Sequence, residues 1–213
     1  MKKIVNHIVY GILYTLIIFL SSCEGITEDV SQITYYPILT LKGEQWNTID
    51  VGQSFTDLGA TATEGGNEIN VKVGGDQVNS NIPGVYTITY TAVNKDGFSA
   101  TEYRYVGVID PSVKGKDMSG SYKRNAGVFG VSIVTKISDN FYKSDNVGGV
   151  AVGGPASTVF FYHYNKDLLG VPLQIVAGSP FYCENATVQL GASYKWIVRN
   201  SGYGPALRTF LKI

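Results

Sequence analysis

The chain has 213 residues, with 17 lysines and arginines against 17 acids, two histidines and two cysteines. Its first 22 residues hold Lys2, Lys3 and no acid, so the remainder carries a net charge of about −2, which argues against nucleic acid as a partner. Beyond residue 22 only His163, Cys23 and Cys183 remain of the soft ligands, too few for an ordinary zinc centre, and no GXSXG elbow surrounds a serine. No catalytic residue, metal or cofactor is expected.

The opening "MKKIVNHIVYGILYTLIIFLSS" places two lysines before an apolar run from Ile8 to Leu20. That run is shorter than the roughly 20 residues a spanning helix needs, which is the plan of a signal peptide. Leu20-Ser21-Ser22-Cys23 fits the bacterial lipobox, so residues 1–22 are expected to be a lipoprotein signal peptide and Cys23 the lipidated residue. Each buried methylene of an acyl chain contributes about 0.8 kcal/mol, so several chains make a lasting tether to a membrane. Residues 23–32 form a polar linker in which Glu24, Glu28 and Asp29 resemble the acidic export signal of Bacteroidetes surface lipoproteins. The resemblance implies an outer-membrane lipoprotein facing the cell surface, with the periplasmic face as the alternative.

From 33 onward the fold class expected is all-β, because apolar residues recur at spacing two and glycines punctuate short runs at Gly52, Gly59, Gly65-Gly66 and Gly74-Gly75. The strongest hairpin sets Tyr86, Ile88, Tyr90 and Ala92 on one strand face and Thr87, Thr89 and Thr91 on the other. Asp96-Gly97 supplies the turn, and the return strand runs from about Ser99 to Val108. A second sheet must cover the apolar face.

The words "VGQSFTDLGATA" and "IPGVYTITYTAVNKDGFSA" resemble bacterial immunoglobulin-like domains found in tandem on cell-surface proteins, which often have proline where Leu58 stands. For residues 33–110 the resemblance implies a sandwich of about seven strands acting as a spacer or adhesive module. Asn94 and Asp96 supply too few oxygens for calcium, which takes six to eight, and are read as turn formers. Trp46, Tyr103 and Tyr105 offer an aromatic platform for a sugar ring; strand packing is the reading preferred.

Residues 111–117 are short and polar, with proline and glycine, and suit a linker. Residues 118–213 read as a second antiparallel β unit, either a sandwich or a small barrel. Its inward sets are expected to be Phe129, Val131, Ile133 and Ile137; Val188 and Leu190; Tyr194, Trp196 and Val198; and Leu207, Leu211 and Ile213. Cys183, in a mixed segment, is read as a buried thiol.

"SGSYKRN", "VTKISDNFYKSDNVGG" and "NSGYGPALRTFLK" are similar to the C-terminal β-domain of a group of Bacteroidetes surface lipoproteins often associated with polysaccharide-utilisation systems. In "FFYHYN", Phe160, Tyr162 and Tyr164 share one strand face, with Phe161 and His163 on the other. Two arrangements are open: a row of rings exposed to a ligand, or a strand buried on both faces. In the first, Tyr162, Tyr164, His163 and Asn165 are the candidate ligand-binding residues. The expected function is noncatalytic glycan binding in support of polysaccharide capture; the alternative is a structural or protein-interaction subunit with an outer-membrane protein partner.

Overall fold

The computed structural model describes residues 33–213. The signal peptide, Cys23 and the acidic linker of the sequence reading lie outside the described residues. The fold is all-β, in two modules.

The first module holds seven strands. They are β1 (Ile38–Leu41), β2 (Trp46–Asp50), β3 (Ala60–Glu64), β4 (Asn67–Ile69), β5 (Val71–Gly75), β6 (Gly84–Val93) and β7 (Ser99–Ile109). They form one sheet in the order β1-β3-β4 and another in the order β2-β7-β6-β5, with β2 parallel to β7 and every other pair antiparallel. The β6–β7 hairpin follows the alternation: Ile88, Tyr90 and Ala92 are buried, and Gly97 takes a positive φ of 86° at the turn. Asn94 organises that turn, since its Oδ1 accepts from the Asp96 and Phe98 amides at 3.1 and 2.7 Å and its Nδ2 donates to the Tyr35 carbonyl.

One buried cation ties the two sheets together. Arg104, on β7, is 2 % exposed; it pairs with Asp57 and donates to the Tyr90 hydroxyl at 2.9 Å and to the Glu44 carbonyl at 3.1 Å. Further bonds reach the carbonyls of Lys42 and Gly59. Burial alone would raise the Asp57 carboxyl, but hydrogen bonds from Tyr90, Gly59 and Arg104 hold it below the usual carboxylate range. The turn around Leu58 is therefore fixed by its neighbour Asp57, while Leu58 itself points to solvent.

The second module is a closed barrel, which decides between the two alternatives. Its strands are β8 (Gly120–Arg124), β9 (Val131–Ser138), β10 (Phe141–Ser144), β11 (Val159–Asn165), β12 (Leu168–Val176), β13 (Ser179–Gln189), β14 (Ser193–Arg199) and β15 (Leu207–Lys212). Each pairs antiparallel with the next, and β15 closes back on β8 through Phe210↔Arg124 and Leu211↔Lys123. The interior is filled by rings: Tyr194 stacks on Phe210 at 4.6 Å, and Trp196 lies edge-on to Phe161 at 5.5 Å. The indole of Trp196 donates to the Val147 carbonyl at 2.8 Å, so its one polar atom is satisfied inside. An apolar lumen with Lys123, Lys195 and Arg199 on the outside inverts the plan of a membrane-spanning barrel. No helix among the described residues is long and apolar enough to cross a membrane.

Two of the expected inward sets are corrected. Val131, Ile133 and Ile137 face outward, as does Phe129 before them, while Ser132 and Val134 turn in. The register explains this: Ser132 lies directly across from Tyr122, so a small residue opposes a ring, and its hydroxyl pairs with that of Ser144 at 2.8 Å. On β15, Leu207 and Leu211 are about half exposed and Ile213 more so, while Arg208 and Phe210 turn in, because Phe210 completes the ring stack beside Tyr194. Leu190 also faces out, past the end of β13. The set Tyr194, Trp196 and Val198 is inward, with Val188. Cys183 is a free thiol packed against the barrel core, and burial pushes its pKa up.

The modules are locked by two reciprocal notches. A Cβ on Gly107 of β7 would stand 2.5 Å from the Tyr162 ring, and one on Gly170 of β12 would stand 2.3 Å from a Val85 methyl. Each glycine thus admits a side chain from the opposite module. Two phenols cross the seam as well: Tyr162 donates to the Asn47 carbonyl at 2.9 Å and Tyr105 to the Leu173 carbonyl at 2.7 Å. Within the segment expected as a linker, a 3-10 turn at Pro111–Val113 buries Val113, whose carbonyl accepts from Asn140 at 3.0 Å.

Candidate functional site at the module junction

Strand β11 is covered on both sides. Its Phe161 and His163 point into the barrel, and Tyr162 is fully buried against the first module. The His163 Nε2 lies 2.7 Å from the Lys166 carbonyl, and burial holds the imidazole below its ordinary value of 6.5. Tyr164 and Asn165 are half-buried at the far end of the strand, where Tyr164 packs on the junction cluster. The four residues therefore do not converge on one open surface.

A different group of rings does converge. Trp46 begins β2, and the parallel register with β7 sets it beside Tyr105, where the rings stack with centroids 4.0 Å apart. Tyr103, two residues before Tyr105 on the same face, lies nearly parallel to it at 6.4 Å. From the barrel, Phe160 reaches within 5.4 Å of Trp46 and 5.7 Å of Phe141. The result is a run of rings crossing from one module to the other. Tyr105 forms its buried floor, while Trp46, Tyr103 and Phe160 keep part of their surface open.

These rings line a groove of about 610 Å³, walled on one side by Gln45, Thr101 and Glu102 and on the other by Thr158, Gln174 and the Ile175–Ala177 segment. Its volume falls in the range of small-ligand sites, roughly 300–1,000 Å³. The position of Phe160 follows from sequence chemistry on β12. Pro172 has no N–H to offer the ladder, and Gln174 replaces the missing pairing with its side chain. Its Oε1 accepts from the Phe160 amide at 2.8 Å, and its Nε2 donates to the Phe160 carbonyl at 2.9 Å. Gln174 is 4 % exposed, so this clamp is shielded from water.

The polar groups at the rim are mixed. The Gln45 side-chain amide donates to the Tyr103 carbonyl at 3.1 Å and keeps its Oε1 for other partners, while the Gln45 main-chain carbonyl accepts from the Tyr105 amide at 2.8 Å. Among the described residues no ion pair involves Glu102. Burial, with Tyr103 and Glu102 nearby, pushes the Tyr105 phenol up, so it remains a donor to Leu173. Such an arrangement can stack the apolar face of a flat ligand and hydrogen-bond its edge.

The sequence reading singled out Trp46, Tyr103 and Tyr105 and preferred packing. The structure divides them: Tyr105 packs, and Trp46 and Tyr103 pack on one face only. Phe160 stood in the sequence reading as a member of the Tyr162 face, among the rings that could meet a ligand, while Gln174 and Glu102 carried no signal of a site. What the Phe160 ring meets across the junction is a partner that no local pattern names.

The fold and junction define a two-module all-β protein in which an immunoglobulin-like sandwich is bolted to a closed antiparallel barrel. Residues 39–108 match the family described as bacterial surface protein, Ig-like domain. No curated protein matches the chain. Among solved structures, the chain is similar to a crystallised lipoprotein from Bacteroides thetaiotaomicron, with 25% identity, 84% of this chain and 100% of that chain covered, and a TM-score of 0.38. It is also similar to CBM51-2 and INT domains from Clostridium perfringens ZmpB, solved in complex with GlcNAc, with 17% identity and a TM-score of 0.28. That alignment covers 83% of this chain and 43% of the other, so the chain spans less than half of that structure.

Proposed function

We propose that this chain is a noncatalytic, lipid-anchored protein of the bacterial outer membrane that binds glycan at the junction groove, in support of polysaccharide capture. The observation that carries the reading is the run of partly open rings, Trp46, Tyr103 and Phe160, along one groove whose lining also holds Gln45, Thr101 and Thr158. Pyranose rings have apolar C–H faces that stack on aromatics and hydroxyl edges that need such partners. Binding rather than hydrolysis is the activity, since the groove offers Glu102 as its one carboxyl and a glycosidase requires two. The matched surface-protein domain and the Leu20–Cys23 lipobox both favour a place in the cell envelope.

A glycan array read with the full chain in detergent tests this. Trp46→Ala and Phe160→Ala should each weaken binding about tenfold, in line with about 1–1.5 kcal/mol for a lost stacking partner. Silence across plant, host and microbial glycans removes the reading. A second reading, a structural or protein-interaction subunit of an envelope complex, is favoured by the apolar side chains Val131, Ile133 and Leu211 on the outer face of the barrel. A stoichiometric outer-membrane partner on affinity purification, unaffected by glycan, would select it.

A further inference from the structure

We infer that the barrel mouth beside Gly148 binds an oxyanion, a carboxylate, sulfate or phosphate group, held by the guanidinium of Arg208 with Arg124 beside it. The register puts both bases on the inner side of the wall. Tyr122 and Phe210 are buried in the lumen, and Arg124 and Arg208 each stand two residues from them, on the same faces of β8 and β15. Phe210 pairs directly with Arg124, so the two arginines are diagonal neighbours across the β15–β8 seal. Their contacts meet at one place. Arg124 donates from Nη1 to the Gly148 carbonyl at 3.3 Å, and the Tyr203 ring fills the space that a Cβ on Gly148 would need. The Arg208 guanidinium lies over that same ring, 5.1 Å from its centre.

Arg208 is 7 % exposed, yet among the described residues no carboxylate pairs with it or with Arg124. Its bonds to the Gly204 and Ala206 carbonyls, at 3.4 and 3.1 Å, both leave from Nη1. Among the described residues nothing accepts from its buried Nε. Arg104, the other buried arginine, differs in both respects: Asp57 answers its charge, and four further acceptors take its N–H groups. A buried charge is costly without a counter-charge, and a like charge nearby adds to the cost. Burial first, and then the charge of Arg124, lower the Arg208 pKa, and no carboxylate opposes them. The guanidinium edge that carries Nε and Nη2 presents two parallel N–H groups, and two oxygens of one oxyanion match that spacing. Such a group would supply both the acceptor and the negative charge that the surrounding protein does not.

The test titrates inorganic sulfate, inorganic phosphate and methyl glucuronoside, at constant ionic strength, into the full chain in detergent, with methyl glucoside as the uncharged control. The arginine Nε–H resonances are followed by NMR. The resonance that Arg208→Met removes should shift and saturate with at least one of the three anions and stay still with the control. Arg208→Met should weaken that anion's binding about tenfold or more, as loss of charge-assisted hydrogen bonds does. Arg124→Gln should weaken it by a smaller factor, and it decides the matter if Arg208→Met does not fold. Tightest binding of the glucuronoside would identify an acidic sugar as the source of the group, and tightest binding of sulfate or phosphate the free anion. An Arg208 resonance that no anion moves marks a site for water only, and anion binding that the variants leave unchanged lies elsewhere; either result overturns the inference, and neither bears on the junction groove.

Discussion

Tyr162 occupies the space that the missing side chain of Gly107 leaves open, with less than a methyl's clearance: a Cβ there would meet the ring at 2.5 Å. The contact joins a strand of the sandwich to a strand of the barrel. Gly107→Ala should therefore destabilise the folded chain by about 1–3 kcal/mol, as overpacking does. Tyr162→Ala should cost about as much or more by opening a cavity, yet the double variant should cost less than the sum. Urea unfolding of the four forms closes the cycle, and strict additivity would mean that the two positions do not bear on each other.

His163 gives the chain a dependence on acid. Burial, the largest influence, holds its folded pKa below the ordinary 6.5, and the Lys166 carbonyl only partly opposes this. A depressed histidine contributes stability that is fully present above the unfolded value and is lost as pH falls through the folded one. Melting temperature should thus decline from about pH 7 downward, and His163→Gln should flatten that decline relative to the wild type. A wild-type and variant pair with parallel profiles would refute the assignment.

Gln174 makes a prediction that separates support from contact. Gln174→Leu keeps the bulk but abandons the Phe160 amide and carbonyl, so stability should fall by about 1–3 kcal/mol. Hydrogen exchange of the Phe160 amide should accelerate. Glycan affinity should fall with it although Gln174's amide is fully used within the protein, because Phe160 loses its fixed position at the rim.

Arg104 serves five acceptors, among them a carboxylate, a phenol and three carbonyls. Arg104→Met should cost about 3–5 kcal/mol, since Asp57 and the carbonyls lose their buried partner. Arg104→Lys should recover little, because a compact ammonium cannot span a planar fork of acceptors. The loss should appear as faster exchange around the Lys42–Gly59 contacts, with the barrel core unaffected.

How far these features were readable from sequence depends on whether a local pattern encodes them. The β6–β7 hairpin was legible because threonines and large apolar residues alternate without a break and Asp96-Gly97 supplies the turn. Strands β9 and β15 misled because both of their faces are apolar in part, and the deciding fact is a partner: Ser132 goes in because Tyr122 is opposite. Arg208 goes in because its guanidinium finds the Gly204 and Ala206 carbonyls, which no periodicity announces. The groove was half legible. Trp46, Tyr103 and Tyr105 stood out by type, but the fourth wall, Phe160, arrives only when Gly107 and Gly170 let the modules meet.

The seal between β15 and β8 carries a last consequence, one of timing. The strand that completes the barrel spans Leu207–Lys212, and it pairs with one that precedes it by roughly ninety residues. A ribosome must release every residue through Lys212 before the cylinder can shut. Until then the open rims of β8 and β14 would invite stray strands, so a chaperone hold before closure would protect this molecule at its most adhesive moment.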